Sequence, residues 1–248
     1  MKQGYFKITE NTPLTKTVYR MRLVGDTSDI TASGQFVNIK LDGFFLRRPI
    51  SVCDVEGDTL TLVYKVVGHG TEAMAQMSEG TLDVLTGLGN GYDLSKSGDA
   101  PVLVGGGVGV PPLYLLCKRL LAEGKHPSVI LGFNTKDEIF YEDEFRALGV
   151  AVCVATVDGS YGTKGFVTDC LALEPHKNAT YFYTCGPEPM LKALCRATAI
   201  SGQLSFEERM GCGFGACMGC SCQTLTGNKR ICKEGPVLEK EELLWNAN

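Results

Sequence analysis

Thirteen residues near the C-terminus, Met210 to Cys222, read MGCGFGACMGCSC, and four of them are cysteine and four glycine. Another thiol, Cys232, follows in KRICKEGP. Structural zinc sites usually carry two C-x2-C knuckles far apart. Here one x2 pair, Cys217 and Cys220, is preceded by an x4 step from Cys212. That is the plant-type spacing for a [2Fe–2S] cluster. The small residues suit it, because Gly213, Gly215, Ala216 and Gly219 let backbone N–H groups approach the sulfurs of a bulky cluster. Such hydrogen bonds favour the reduced, more negative state and tune its potential. A structural zinc ion and a redox-active thiol set are the alternative readings. Cys222 reads either as a free thiol beside the cluster or as a replacement for one of its ligands.

A loop this poor in apolar residues needs a scaffold to hold it. The chain has 248 residues, enough for two domains and a small third. A net charge of -4 and the lack of a long basic run argue against a nucleic-acid partner. No apolar stretch is long enough to span a bilayer, and the start, MKQGYFKITE, has no apolar signal region. The expected compartment is the cytoplasm. There most of the remaining cysteines, Cys53, Cys117, Cys153, Cys170, Cys185 and Cys195, are expected to be free thiols buried as small hydrophobes.

The first hundred residues read as strands. Tyr19, Met21 and Leu23 alternate with Arg20 and Arg22, and Leu60, Leu62, Tyr64 and Val66 alternate with Thr61, Val63 and Lys65. With GQFVNIKL and TLDVLTGL, this period of two predicts an antiparallel barrel. The pattern changes at SKSGDAP, residues 95–101. Next come an apolar strand, a glycine turn, a helix with Leu113, Leu116, Cys117, Leu120 and Leu121 on one face, and a second apolar strand. This is a βαβ unit, and VAVCVATVD and TYFYTCGP extend it to a parallel sheet covered by helices.

Two glycine-bearing strand ends lie in that sheet. GGGVGVPP runs from Gly105 to Pro112, and its glycines and helix N-terminus suit a pyrophosphate. It is not G-x-G-x-x-G, and a tight strand–helix turn explains it equally well. The second strand end, Tyr183 to Leu191, carries Cys185, Gly186 and Pro187. Ligands of open α/β sheets sit at such carboxyl ends. In the barrel half, RRPIS offers an arginine for a phosphate and a serine for a flavin edge, or simply a surface arginine and a strand-end serine, which is the reading these residues favour by themselves. GHGT, Gly68 to Thr71, offers N–H groups and a hydroxyl to a second phosphate, or is simply a hairpin loop with His69 in solvent.

R-P-I-S, Y-K…G-x-G-T, G-G-G-x-G-x-P-P, C-G-P and the cysteine loop occur in that order. Over nearly its whole length the chain resembles the ferredoxin–NAD(P)+ reductase family. With ERMGCGFGAC and ICKEGPV it most resembles the electron-transfer subunits of class 1B dihydroorotate dehydrogenases. The resemblance implies a multidomain fold: an antiparallel FAD-binding β-barrel (1–97), an α/β parallel-sheet NAD domain (98–205) and a [2Fe–2S] segment (206–248). It implies that Arg48, Pro49, Ile50 and Ser51 hold FAD, with Val63, Tyr64, Lys65, Gly70 and Thr71. It implies that Gly105, Gly106, Gly107, Gly109, Cys185, Gly186 and Pro187 hold NAD, and that Cys212, Cys217, Cys220 and Cys232 ligate the cluster.

The implied partner is an FMN-containing catalytic subunit, two copies of each forming a heterotetramer, with electrons passing to NAD+ in pyrimidine biosynthesis. Ile50 departs from the wider family, many of whose members have an aromatic residue there. Related subunits of sulfhydrogenases and of ferredoxin:NADP oxidoreductases share the order of parts. A nucleotide-binding module with structural zinc is the reading from another class.

Overall fold

A computed structural model describes residues 1–246. The last two residues of the expected 206–248 segment lie outside the described residues.

The first half of the chain supplies strands β1 (Lys2–Pro13), β2 (Val18–Val24), β3 (Phe36–Lys40), β4 (Arg48–Glu56) and β5 (Thr59–Lys65), helix α1 (His69–Ala75) and strand β6 (Thr81–Leu88). The strands close into an antiparallel barrel in the order β1-β2-β5-β4-β3-β6. Alternation explains why. Met21 and Leu23 of β2, Val37 and Ile39 of β3, and Leu60 and Leu62 of β5 all point into one apolar interior. Each such side chain stabilises the fold by about 1.5–3 kcal/mol. In β5 the expected alternation fails on the outer face, where Val63 is also buried. It packs with Cys53 of β4 against the second half of the molecule.

That half contains β7 (Pro101–Gly106), α2 (Pro112–Ala122), β8 (Ser128–Phe133), α3 (Glu142–Ala147), β9 (Ala151–Thr156), β10 (Thr163–Lys164), α4 (Val167–Leu171), β11 (Tyr181–Cys185), α5 (Glu188–Ala197) and β12 (Gly202–Ser205). Helix α2 shows the expected face: Leu113, Leu116, Cys117 and Leu120 are fully buried. It lies against the outside of the barrel, where Lys118 Nζ pairs with Asp54 and Glu56, each at 2.8 Å.

The cysteine-rich segment forms a hairpin of β13 (Ser221–Thr224) and β14 (Gly227–Arg230), then β15 (Val237–Glu239). The larger sheet runs β10-β9-β8-β7-β11-β12-β15. It is parallel as expected, except that β15 adds antiparallel to β12. The C-terminal segment is thus sewn into the larger sheet. No helix among the described residues is long and apolar enough to cross a membrane.

One expectation about the cysteines is corrected. Cys153 and Cys170 are joined by a disulfide rather than free. Helix α4 packs on β9 and brings their α-carbons to 6.4 Å, which spacing in sequence did not reveal. Cys53, Cys117, Cys185 and Cys195 are free and buried, as expected.

Candidate functional site

Two cavities lie on the face where the barrel meets the sheet. The first, of about 460 Å³, takes its walls from both barrel motifs. Arg48, Pro49, Ile50 and Ser51 come from the start of β4, and Val63, Tyr64 and Lys65 from the end of β5. Gly70 and Thr71 add the first turn of α1. All nine expected residues therefore meet, because β4 and β5 are ladder neighbours. GHGT opens a helix instead of forming a hairpin loop, and His69 is exposed. The Thr71 hydroxyl is engaged by its own turn: it accepts from the Val67 N–H at 2.9 Å and donates to the Gly68 carbonyl at 2.9 Å.

The structure also separates the two arginines. Arg47 turns away to pair with Asp83 at 2.9 Å. Arg48 lines the cavity with its guanidinium 4.6 Å from the centre of the Phe44 ring. Tyr64 is held by its hydroxyl, which donates to Asn11 Oδ1 at 3.0 Å. Burial pushes that phenol up to about 12, so it stays a neutral donor. Asn11 Nδ2 donates to the carbonyls of Met74 and Met77, each at 2.8 Å, tying the end of α1 to the same wall.

The second cavity, of about 650 Å³, opens at the carboxyl ends of β7, β8 and β11. Both volumes fall in the roughly 300–1,000 Å³ range of ligand sites. Gly106, Gly107 and Gly109 line it, with Gly186 and Pro187. Gly105 and Cys185 lie behind this wall. A β-carbon on Gly105 would come within 2.9 Å of Val110 Cγ2, so this glycine serves strand–helix packing. Cys185 is 2 % exposed, and burial pushes its thiol well above the ordinary range. Gly107–Gly109 form one tight turn before α2, with Gly107 at φ +52°.

Lys65, Val108 and Glu207 line both cavities, so the two sites share a seam. Desolvation there holds the Glu207 carboxyl above its ordinary value, although part of the residue faces solvent. Glu207 was not legible as a site residue in the sequence, nor were Phe206, Met210 and Pro236 of the first cavity. They belong to no nucleotide motif and reach the cleft only because β12 and β15 flank the cysteine segment. Their one signal in sequence was closeness to Cys212 and Cys232.

The thiols gather two and two. The Cys212 N–H points at Cys217 Sγ and the Cys217 N–H at Cys212 Sγ, each at 3.5 Å. The Cys232 N–H points at Cys220 Sγ at 3.4 Å. The Ala216 N–H reaches Cys212 Sγ at 3.2 Å, and the Gly219 N–H reaches Cys217 Sγ at 3.5 Å. Ala216 and Gly219, two of the four small residues expected to supply donors, thus do so. Burial raises the Cys212 thiol, but N–H groups of Phe214, Cys217 and Ala216 outweigh it and bring it down to about 6. Burial and then the adjacent Cys220 push Cys232 up to about 12.

Cys217 is exposed, whereas Cys220 and Cys232 are buried. Among the described residues, no three Cys, His, Asp or Glu side chains converge on one metal-ion position. Two pairs suit a binuclear centre with two thiolates per iron better than a single tetrahedral zinc. Cys222 stands apart on β13, its thiol 3.8 Å from the Gln223 carbonyl.

Comparisons with known proteins match this geometry. Residues 207–244 match the family described as the iron-sulfur cluster binding domain of dihydroorotate dehydrogenase B. Residues 103–196 match an oxidoreductase NAD-binding domain. The chain is 46% identical over 245 residues to the dihydroorotate dehydrogenase B (NAD(+)) electron transfer subunit of Fusobacterium nucleatum subsp. nucleatum, covering 93% of this chain and 94% of that one. It is 43% identical over 256 residues to the protein of the same name from Bacillus pumilus, covering 98% of each. Among solved structures, an NADH-dependent reduced ferredoxin-NADP oxidoreductase aligns with TM-score 0.86 at 29% identity, over 98% of this chain and 90% of that chain. A ferredoxin NADP+ reductase from Neisseria gonorrhoeae with bound FAD and NADP aligns with TM-score 0.68 at 20% identity, over 79% and 90%, and shares the fold.

Proposed function

The chain belongs to the family of dihydroorotate dehydrogenase B (NAD+) electron transfer subunits, and from that premise we propose that it carries electrons from a dihydroorotate-oxidising subunit to NAD+. Its cofactors are FAD, a [2Fe–2S] cluster and NAD. When bound, the cluster supplies one-electron transfer, and the flavin supplies the exchange between single electrons and a hydride.

The observation that carries the reading is the contiguity of the three sites. The two cavities share Lys65, Val108 and Glu207. The first is also lined by Met210 and Pro236, on either side of the cysteine pairs. One cleft thus adjoins the second cavity on one side and, on the other, is lined by residues that flank the cysteine segment in sequence.

In this reading residues 1–97 bind FAD, 98–205 bind NAD and 206–248 hold the cluster. Arg48 neutralises the flavin pyrophosphate, as a planar, permanently charged donor suits it. Ser51, Tyr64 and Lys65 border the ring. The glycines at 106, 107, 109 and 186 let the second nucleotide approach the backbone. The inner pair, Cys220 and Cys232, is shielded, while the outer pair, Cys212 and Cys217, faces the partner. That partner is an FMN-containing catalytic subunit, two copies of each forming a heterotetramer in the cytoplasm, within pyrimidine synthesis. The dihydroorotate relatives are more similar in sequence than the ferredoxin-NADP oxidoreductase, which favours dihydroorotate as the electron source.

The test is anaerobic purification with iron, sulfide, zinc and flavin analysis, followed by NADH formation from dihydroorotate with the catalytic subunit present. Two irons, two sulfides and one FAD per chain are expected. A colourless, zinc-bearing, flavin-free chain would refute the reading.

A further inference from the structure

Asn38 lies in the middle of β3 and is 1 % exposed, between Val37 and Ile39, which are fully buried. An amide buried in a barrel wall is costly unless it makes a bond that an aliphatic side chain cannot. Asn38 makes one such bond. Its Nδ2 donates to the backbone carbonyl of Cys212 at 3.2 Å. Its Oδ1 has no partner among the described residues, so the amide is not there to complete a local network.

The residue itself is firmly held. Its backbone carbonyl accepts from Arg47 Nη1 at 3.2 Å, and the same nitrogen pairs with Asp83 at 2.9 Å. Its cross-strand partner on β4 is Pro49, inside the R-P-I-S stretch that lines the first cavity, and on β6 it is Leu85. From the other side Gly213, at φ +78°, comes so close that a β-carbon on it would lie 2.3 Å from Asn38 Nδ2. Only glycine permits that approach.

A single side chain therefore spans from the strand beside the flavin cleft to the first cysteine of the loop. We propose that Asn38 is a positioning residue for electron transfer. Its amide fixes the Cys212 carbonyl, and with it the outer thiol pair, at a set distance from β4. The inference rests on the FAD and cluster reading above. It adds the barrel residue that keeps the two centres in register. Outer contacts of metal ligands act in this way, and removing one typically costs about 10- to 100-fold in metal affinity or activity.

The experiment uses the full chain, reconstituted with FAD and cluster, and NADH as electron donor. Stopped-flow absorption records flavin bleaching and cluster bleaching separately, and electron paramagnetic resonance records the g values of the reduced cluster. Asn38→Asp keeps the shape and loses the donor; Asn38→Leu loses all polarity. In both, the flavin phase should keep its wild-type rate. The cluster phase should slow by about 10- to 100-fold, with shifted g values or reduced iron content. Wild-type cluster rates and g values in both variants overturn the proposal. If both lose FAD as well as iron, Asn38→Ala, the smaller change that removes the donor, decides: a slowed cluster phase with FAD retained supports the role, and an unchanged one overturns it. A wild-type chain lacking iron and sulfide overturns the function proposed above before any variant is compared.

Discussion

The guanidinium of Arg48 lies against the bare α-carbon of Gly70: a β-carbon there would fall 2.1 Å from Nε and 2.4 Å from Nη2. The two residues come from different motifs, R-P-I-S and G-H-G-T, and their contact makes one wall of the first cavity. Because the obstructed atoms end a flexible side chain, Gly70→Ala should displace the guanidinium with little loss of stability. FAD binding should weaken. With Arg48 on the flavin phosphate as proposed, Arg48→Ala would remove a charge-assisted hydrogen bond worth about 1.5–3 kcal/mol. FAD titration of the apoprotein should show affinity lower by about 10- to 100-fold. Wild-type affinity in Arg48→Ala would mean that the flavin lies elsewhere.

The two-and-two arrangement of thiols sets the four proposed ligands apart from Cys222. Cys212→Ala should abolish the cluster absorption and the bound iron while sparing most of the FAD, since Arg48, Ser51 and Tyr64 are untouched. Cys222→Ala should keep the full cluster spectrum, because that thiol faces the Gln223 carbonyl and not the sulfur pairs. Iron and sulfide analysis of the two variants checks both statements. The reverse result would exchange the roles of Cys222 and Cys212.

Gly109 abuts the end of β11. A β-carbon on it would stand 2.2 Å from the Cys185 carbonyl oxygen, which is backbone and cannot swing aside. Gly109→Ala should destabilise the fold by about 1–3 kcal/mol through overpacking. It should also raise the KM for NADH with an artificial acceptor, leaving the flavin content unchanged. An unaltered KM would detach the glycine turn from nucleotide binding.

A buried histidine sets part of the acid sensitivity. His176 is 3 % exposed, with Nδ1 3.0 Å from Ser128 Oγ, and burial holds its imidazole below the ordinary 6.5. The folded chain therefore prefers the neutral ring, whereas the unfolded chain takes up a proton near 6.5. This contribution is complete above the unfolded value and is lost as pH falls through the folded one. Between about pH 7 and pH 5, the melting temperature should fall more steeply for the wild type than for His176→Gln. Parallel curves would show that His176 does not contribute.

Sequence alone determined the kinds of element and narrowed the chemistry of the cysteine loop to a few readings. Cysteine spacing is read along the chain, so C-x4-C-x2-C was legible before any fold was known. So were the period-two strands and the strand–glycine–helix unit, because backbone geometry repeats every two or 3.6 residues. What the sequence could not supply was adjacency between distant segments. Only closure of the barrel made β4 and β5 neighbours and chose Arg48 over Arg47 for the cavity. Only the antiparallel addition of β15 to β12 carried Phe206, Met210 and Pro236 to the first cavity. The Asn38–Cys212 bond and the Cys153–Cys170 disulfide likewise join residues that no local pattern pairs. Short-range periodicity follows from the local backbone, whereas these contacts follow from how apolar faces pack across the whole molecule.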